Sequence, residues 1–195
     1  MGKARCLVAR VDSNRTDAMM AGHSEKPQRR YAARVVIVVM GAAGSGKSTV
    51  GQALAGVLAV RFVEGDEYHS AAAIAKMRAG TPLTDADRRP WLAALHDVMA
   101  TAVDRREHLV MACSALHERY RETLLGDLRS VRFAYLRASE PTLRQRLSAR
   151  TGHFAGPSLV VSQLAALEEP ADALTIDATR PVDEIVRLVR SEFGL

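Results

Sequence analysis

Residues 34–49 read RVVIVVMGAAGSGKST, from Arg34 to Thr49. Val35 to Met40 is an unbroken apolar run rich in β-branched side chains. Such a run suits a strand buried on both faces, as in a parallel sheet. Gly41-Ala42-Ala43-Gly44-Ser45-Gly46-Lys47-Ser48 then fits G-x-x-x-x-G-K-[ST], the phosphate-binding P-loop. From Thr49 to Val60 the apolar residues Val50, Leu54, Val57 and Leu58 recur at helical spacing. Strand, glycine loop and helix in that order give the pattern its structural context.

Each residue type in the loop has a physical reason. Glycines admit φ > 0, so successive N–H groups turn inward on a phosphate. The helix beginning near Lys47 adds the positive end of its dipole. Lys47 brings a point charge to the β- and γ-phosphates, and Ser48 brings a hydroxyl for Mg²⁺. Gly41 to Thr49 are therefore the candidate residues for a nucleoside triphosphate. The motif leaves open what receives the phosphoryl group.

The chain has 195 residues, enough for one domain with a sizeable core. Two cysteines, Cys6 and Cys113, make no disulfide framework, and no Cys/His cluster has zinc spacing. No apolar run approaches the roughly 20 residues of a membrane span. Residues 1–34 hold eight Lys/Arg and three Asp/Glu, so the whole formal charge of +5 lies there and residues 35–195 are balanced. A nucleic-acid-binding surface on the domain is not expected from that balance. Residues 1–33 lack sustained periodicity and read as a disordered basic extension. Leu7-Val8-Ala9, ended by Arg10, is too short for a secretory signal, and a cytoplasmic protein without membrane partners is expected.

Residues 34–195 read as an alternation of strands and helices. A second strand, Arg61–Glu64, ends in Gly65-Asp66-Glu67-Tyr68-His69, and a helix follows over Ser70–Gly80, with Asp66 as one candidate N-cap. Pro90 is expected near the start of a helix, with Trp91 to Arg105 behind it and Trp91, Leu95, Val98, Met99 and Ala102 as its apolar face. Trp91 reads as core. Further strands are expected at His108–Cys113, Val131–Leu136 and Ala173–Ile176, with helices at His117–Leu125, from Ser139 through Arg150, at Ser158–Leu167 and at Pro181–Phe193. Five strands alternating with helices predict an α/β fold: a parallel sheet covered on both faces.

Phosphoryl transfer needs positioning, charge neutralisation and exclusion of water more than covalent chemistry. In open α/β sheets ligands bind beyond the carboxyl ends of strands, where Asp66 lies. A carboxylate there can orient an acceptor hydroxyl, take its proton, or hold a water on Mg²⁺. Arg146 and Arg150 are four apart on one helix and lead into a Gly-bearing loop, the arrangement of a lid that closes over phosphates. His69, His117, Arg121 and His153 lie at strand ends or in that loop and are candidates for a polar or anionic acceptor.

Further segments resemble the gluconate kinases (gluconokinases) of the P-loop kinase type. They are Gly65-Asp66-x-x-His69; Lys76-Met77-x-x-Gly80-x-Pro82-Leu83-x-Asp85-x-Asp87-Arg88-x-Pro90-Trp91-Leu92; Cys113-Ser114-Ala115-Leu116 with Tyr120-Arg121; Arg150-x-Gly152-His153-Phe154; and Ser162-Gln163-Leu164-x-x-Leu167-Glu168-x-Pro170. The resemblance spans about residues 35–195, in order. It implies a fold similar to the nucleoside monophosphate kinases, with a lid at about residues 150–170, and phosphorylation of D-gluconate at its 6-hydroxyl with ATP and Mg²⁺. By this resemblance Lys47, Arg146 and Arg150 serve the phosphates, Ser48 and Asp66 the metal, and Asp66 the acceptor hydroxyl. His69, His117, Arg121 and His153 then fall near gluconate, and relatives of this kind are typically homodimers. His117 stands where the family usually has Lys, and Ala155-Gly156-Pro157 replaces bulkier or basic lid residues. Two other functions compete: a shikimate-kinase-like enzyme, whose D-x-D at the second strand end is here Gly65-Asp66-Glu67, and an ATP-binding regulator without transferase activity.

Because residues 1–33 carry no core-forming pattern, a chain beginning at Tyr31 is expected to keep its melting temperature and kinase activity. A thermal melt and an ADP-release assay on the truncated protein check this.

Overall fold

The computed structural model describes residues 35–149 and 157–195. The expectations for residues 1–33, Arg150 and His153 lie outside them. In chain order the elements are β1 Val36–Met40, α1 Lys47–Leu58, β2 Arg61–Glu64, a 3₁₀ turn Gly65–Tyr68, α2 Ala71–Arg78, α3 Asp85–Asp104, β3 Leu109–Ala112, α4 Glu118–Leu125, β4 Val131–Arg137, α5 Glu140–Ser148, α6 Pro157–Ala165, β5 Leu174–Asp177 and α7 Val182–Glu192. Among the described residues the five strands form one sheet in the order β2-β3-β1-β4-β5, every neighbouring pair parallel. The α/β fold read from the sequence, a five-stranded parallel sheet with helices on both faces, is the fold observed.

β1 lies at the centre, with Val38 opposite Met111 of β3 and Phe133 of β4. All five of its residues are buried, and the twofold repeat of a strand sends them to opposite faces. Val36, Val38 and Met40 join Trp91, Leu95 and Met99 of α3 and Leu124 of α4. Ile37 and Val39 join Val50 and Leu54 of α1 and Ile185, Val186 and Val189 of α7. Each such side chain contributes about 1.5–3 kcal/mol by leaving water. Val57, expected on the buried face of α1, is instead 55% exposed, while its neighbour Leu58 and Ala55 turn inward. Among the described residues no helix is long and apolar enough to cross a membrane.

α3 starts at Asp85, six residues before the predicted Trp91, and carries Pro90 in its interior. The proline removes one backbone donor, but the turn before it is secured independently. Thr84 and Asp87 form a capping box: Thr84 Oγ1 accepts from Asp87 N at 3.3 Å, and Asp87 Oδ2 accepts from Thr84 N at 2.9 Å. Lys76 of α2 donates to Asp87 Oδ1 at 2.6 Å. The Thr84-Asp85-Ala86-Asp87 pattern was the available signal for this start. Asp66 is not the N-cap of α2 either; Ser70 is, its hydroxyl accepting from Ala73 N at 3.2 Å.

Thr84→Ala removes one half of the capping box and is expected to cost about 1 kcal/mol, read as a lower urea midpoint at unchanged m-value. Lys76 first, and then Thr84, pull the Asp87 carboxyl down to about 2. A lowered carboxylate stabilises the fold above its ordinary value and loses that contribution as pH falls towards 2. The difference between Thr84→Ala and wild type is therefore expected to shrink in acid.

Candidate active site

The loop between β1 and α1 is shaped by glycine where no other residue fits. Gly44 has φ +85°, and a Cβ there would stand 2.9 Å from the Leu143 carbonyl oxygen. The loop turns on a Ser45 N–H donating to Ala42 O at 3.1 Å, and Gly46 begins α1. Lys47 Nζ donates to Ala42 O at 3.2 Å, which folds the ammonium back over the loop. α5 and α6 back the other side: Ala42 packs with Leu143, Leu147 and Val160. Arg146 of α5 donates Nη1 to Ser45 O at 3.4 Å and Nη2 to Ala178 O at 2.8 Å. It thereby fastens the loop to the carboxyl end of β5. Beside it a concavity of about 550 Å³ is lined by Arg137, Ala138, Ser139, Thr175, Asp177 and Thr179.

Across from the loop stands the carboxyl end of β2. Glu64 is half-buried, and burial pushes its carboxyl above the ordinary range; the Ser48 hydroxyl bonds to it and lowers it, the Asp66 charge raises it, and the Lys47 charge lowers it. Lys47, Ser48, Glu64 and Asp66 thus share one electrostatic neighbourhood. In the sequence Glu64 is marked only as a carboxylate that ends β2 two residues before Asp66.

Asp66 is aimed by its flanks. Gly65 lies so close to β3 that a Cβ would come within 2.5 Å of the Ala112 carbonyl oxygen. The Gly65 carbonyl accepts a buried hydrogen bond of 2.8 Å from Trp91 Nε1. Trp91 is core, as expected, yet its other face stacks on His69 at 4.4 Å between ring centroids. Burial lowers the His69 pKa, Asp66 opposes that, and Arg88 reinforces it. His69 Nδ1 is buried without a partner among the described residues. Arg88 donates Nη1 to Leu83 O at 2.5 Å and to Tyr120 Oη at 3.4 Å. Its charge acts on His69, a neighbour that its place in the sequence does not reveal.

Arg121 and His117 are bonded within the chain. Arg121 is 7% exposed and donates Nη1 to Ala115 O at 3.1 Å and Leu116 O at 3.2 Å, bracing the loop after β3. His117 Nδ1 lies 3.1 Å from Glu168 Oε1. Glu168 Oε2 accepts from Glu118 N at 2.5 Å, and Glu168 N donates to Leu116 O at 2.9 Å. Glu168 thus caps α4 from a distant part of the chain, and the Glu118 N–H first, then His117, hold its carboxyl below the ordinary range. Its role spans 50 positions of chain and is invisible to local spacing.

A glycine loop, a lysine, a hydroxyl and two carboxylates gathered beyond the carboxyl ends of a parallel sheet define a P-loop phosphotransferase. Residues 36–170 match the family model described as an AAA domain. The chain is 48% identical over 136 residues to the gluconokinase of Gluconobacter oxydans (strain 621H), covering 70% of this chain and 76% of that one. It is 38% identical to the thermoresistant gluconokinase of Escherichia coli (strain K12), covering 77% and 89%. The crystal structure of a gluconokinase from Sinorhizobium meliloti 1021 superposes with a TM-score of 0.74 at 42% identity, over 85% of this chain and 93% of that one. The chain belongs to the gluconokinase family.

Glu64 carries a stability signature of its own. A carboxyl raised by folding is favoured when protonated, so its charge at neutral pH costs stability that is absent in acid. Glu64→Gln is expected to raise the melting temperature of the ligand-free protein at pH 7 and to lower kcat. The thermal gain is expected to vanish below pH 4.5, the ordinary value for this group, which a pH series of melts would read.

Proposed function

We propose that this protein transfers the γ-phosphoryl group of ATP to the 6-hydroxyl of D-gluconate. The observation that carries this is that Glu64, the last residue of β2, bonds to the Ser48 hydroxyl and feels the charges of both Asp66 and Lys47, so the turn that carries Asp66 adjoins the loop. In this reading the 6-hydroxyl oxygen attacks the γ-phosphorus, its proton passes to Asp66, and the bond from phosphorus to the β–γ bridging oxygen breaks. ADP and 6-phospho-D-gluconate leave. The loop N–H groups and Lys47 bind the β- and γ-phosphates. The concavity lined by Arg137, Thr175 and Thr179 has the position to take the rest of the nucleotide, since Arg146 links it to the loop.

The oxygen donors present fit Mg²⁺. Ser48, Glu64 and Asp66 offer a hydroxyl and two carboxylates, hard ligands that leave positions for phosphate and water. The raised Glu64 carboxyl supports this: burial raises it first and the Asp66 charge adds to that, and a cation would offset both. Mg²⁺ held there would neutralise charge on the phosphates. Among the described residues no cluster of three or more His, Cys, Asp or Glu is placed to hold a metal ion.

At the acceptor end, His69 and Arg88 are the groups that the reading assigns to gluconate. His69 presents a buried, unpartnered Nδ1, suited to a sugar hydroxyl. The Arg88 guanidinium suits the carboxylate, and Arg121 shapes the adjoining loop. His117 reaches the acceptor only if its bond to Glu168 opens. The catalytic domain in this reading is 34–195, with Arg150 and His153 in a lid at about 150–170, and the cytoplasm supplies its ATP.

An acceptor screen by coupled ADP release tests this proposal. D-gluconate is expected to be preferred over glucose, which lacks the carboxylate, and over shikimate, whose ring has another shape. Asp66→Asn keeps size but removes the proton acceptor and is expected to lower kcat by roughly 10²-fold or more. Lys47→Ala is expected to lose roughly 10²-fold or more in kcat as well. Near-wild-type turnover by Asp66→Asn, or better turnover of shikimate than gluconate, would overturn the assignment.

A further inference from the structure

Gln163 lies on α6, far in sequence from the phosphate loop, yet its Oε1 accepts the Ala43 N–H at 2.6 Å. The donor is a backbone N–H, so the amide orientation is fixed: oxygen towards the loop. The two N–H bonds of Nε2 must then sit on the same carboxamide plane, beside the same loop. Among the described residues Nε2 has no hydrogen-bond partner. The helix cannot easily withdraw the group, because Val160, one turn earlier, is fully buried against Ala42, Leu143 and Leu147. α6 is therefore packed onto the loop by its apolar residues and bonded to it by Gln163.

A loop N–H that would otherwise be one donor of the phosphate cradle is spent on a side chain. That side chain carries two donors of its own on the same amide. From these contacts we propose that Gln163 is a nucleotide contact that extends the cradle towards the terminal phosphate, and that it distinguishes nucleoside triphosphate from diphosphate. Oε1 holds the loop at Ala43, and Nε2 donates to an oxygen of the γ-phosphate. The inference rests on the kinase reading above and adds a recognition element on α6. Occupation of the γ-position is then felt directly by α6, and through Glu168 by the amino-terminal end of α4, because both groups belong to the same stretch of chain.

The test compares Gln163→Glu and Gln163→Met with wild type by calorimetric titration of ADP and of a non-hydrolysable ATP analogue, each with Mg²⁺, and by thermal melts. Gln163→Glu keeps the acceptor for Ala43 but replaces the donors by a charged oxygen. It is expected to hold its melting temperature and ADP affinity and to lose roughly 10-fold or more in affinity for the ATP analogue, the scale of a charge-assisted hydrogen bond turned to repulsion. Gln163→Met removes acceptor and donors without adding charge. It is expected to shift the ratio of the two affinities in the same direction by less, with a lower melting temperature. The ratio belongs to the folded fraction alone, so partial unfolding does not move it. An unchanged ratio in both variants, or an equal loss for ADP and the analogue in Gln163→Glu, would overturn the inference. Wild-type protein that binds neither nucleotide would instead sink the kinase reading on which it rests.

Discussion

A loop that turns its backbone N–H groups inward cannot satisfy them by regular secondary structure, so its neighbours must hold it open. This constraint organises the molecule around residues 41–48. Gly44 lies against the Leu143 carbonyl and the Leu147 side chain, and Ala42 packs into the small core between α5 and α6. Arg146 bonds the Ser45 carbonyl below, and Gln163 takes the Ala43 N–H from the side. The Gly41 N–H is tied at 3.4 Å to Ser114 O, beyond β3. Each bond alone is worth about 1 kcal/mol net; together they fix a concave shape that the loop sequence would not keep by itself.

The acceptor side is built on a second fixed point, the bond from Trp91 Nε1 to the Gly65 carbonyl. It is buried, so breaking it would strand a carbonyl at a cost of about 1–3 kcal/mol. It sets the 3₁₀ turn that presents Asp66, and the same indole carries His69. One core side chain thus positions two polar groups. This explains why α3 must begin early: its first turns carry Asp85, Asp87 and Arg88 to α2 and α4 before the helix descends into the core. The Tyr120 hydroxyl donates to Asp85, and Arg88 lies over the Tyr120 ring at 5.7 Å.

Electrostatics in the cleft run against stability and towards chemistry. Two carboxylates, Glu64 and Asp66, are held near each other beside one lysine, and the burial of Glu64 raises its pKa. Such like-charge pairs cluster at sites where chemistry is done. Elsewhere the charges are conventional surface pairs such as Arg144 with Glu140 at 2.7 Å, which contribute little.

The sequence alone determined the fold class, because each strand's apolar run and each helix's spacing reflect burial that is local in the chain. It also determined the phosphate loop, since glycine, lysine and serine at fixed offsets meet requirements of backbone and charge that lie within eight residues. The place of Asp66 was legible for the same reason: it follows the end of β2 by two residues. The start of α3 was missed because Pro90 masked a capping box whose Asp87 is a less common partner than Glu. Only the tertiary structure decided the rest. Arg121 and His117 read as ligand groups, but folding gives Arg121 two backbone carbonyls and His117 the Glu168 carboxylate. Glu64, Arg88, Gln163 and Glu168 acquire their partners across 16 to 120 positions of chain. No local spacing encodes such a contact; it exists only once a parallel sheet brings the ends of its strands to one edge.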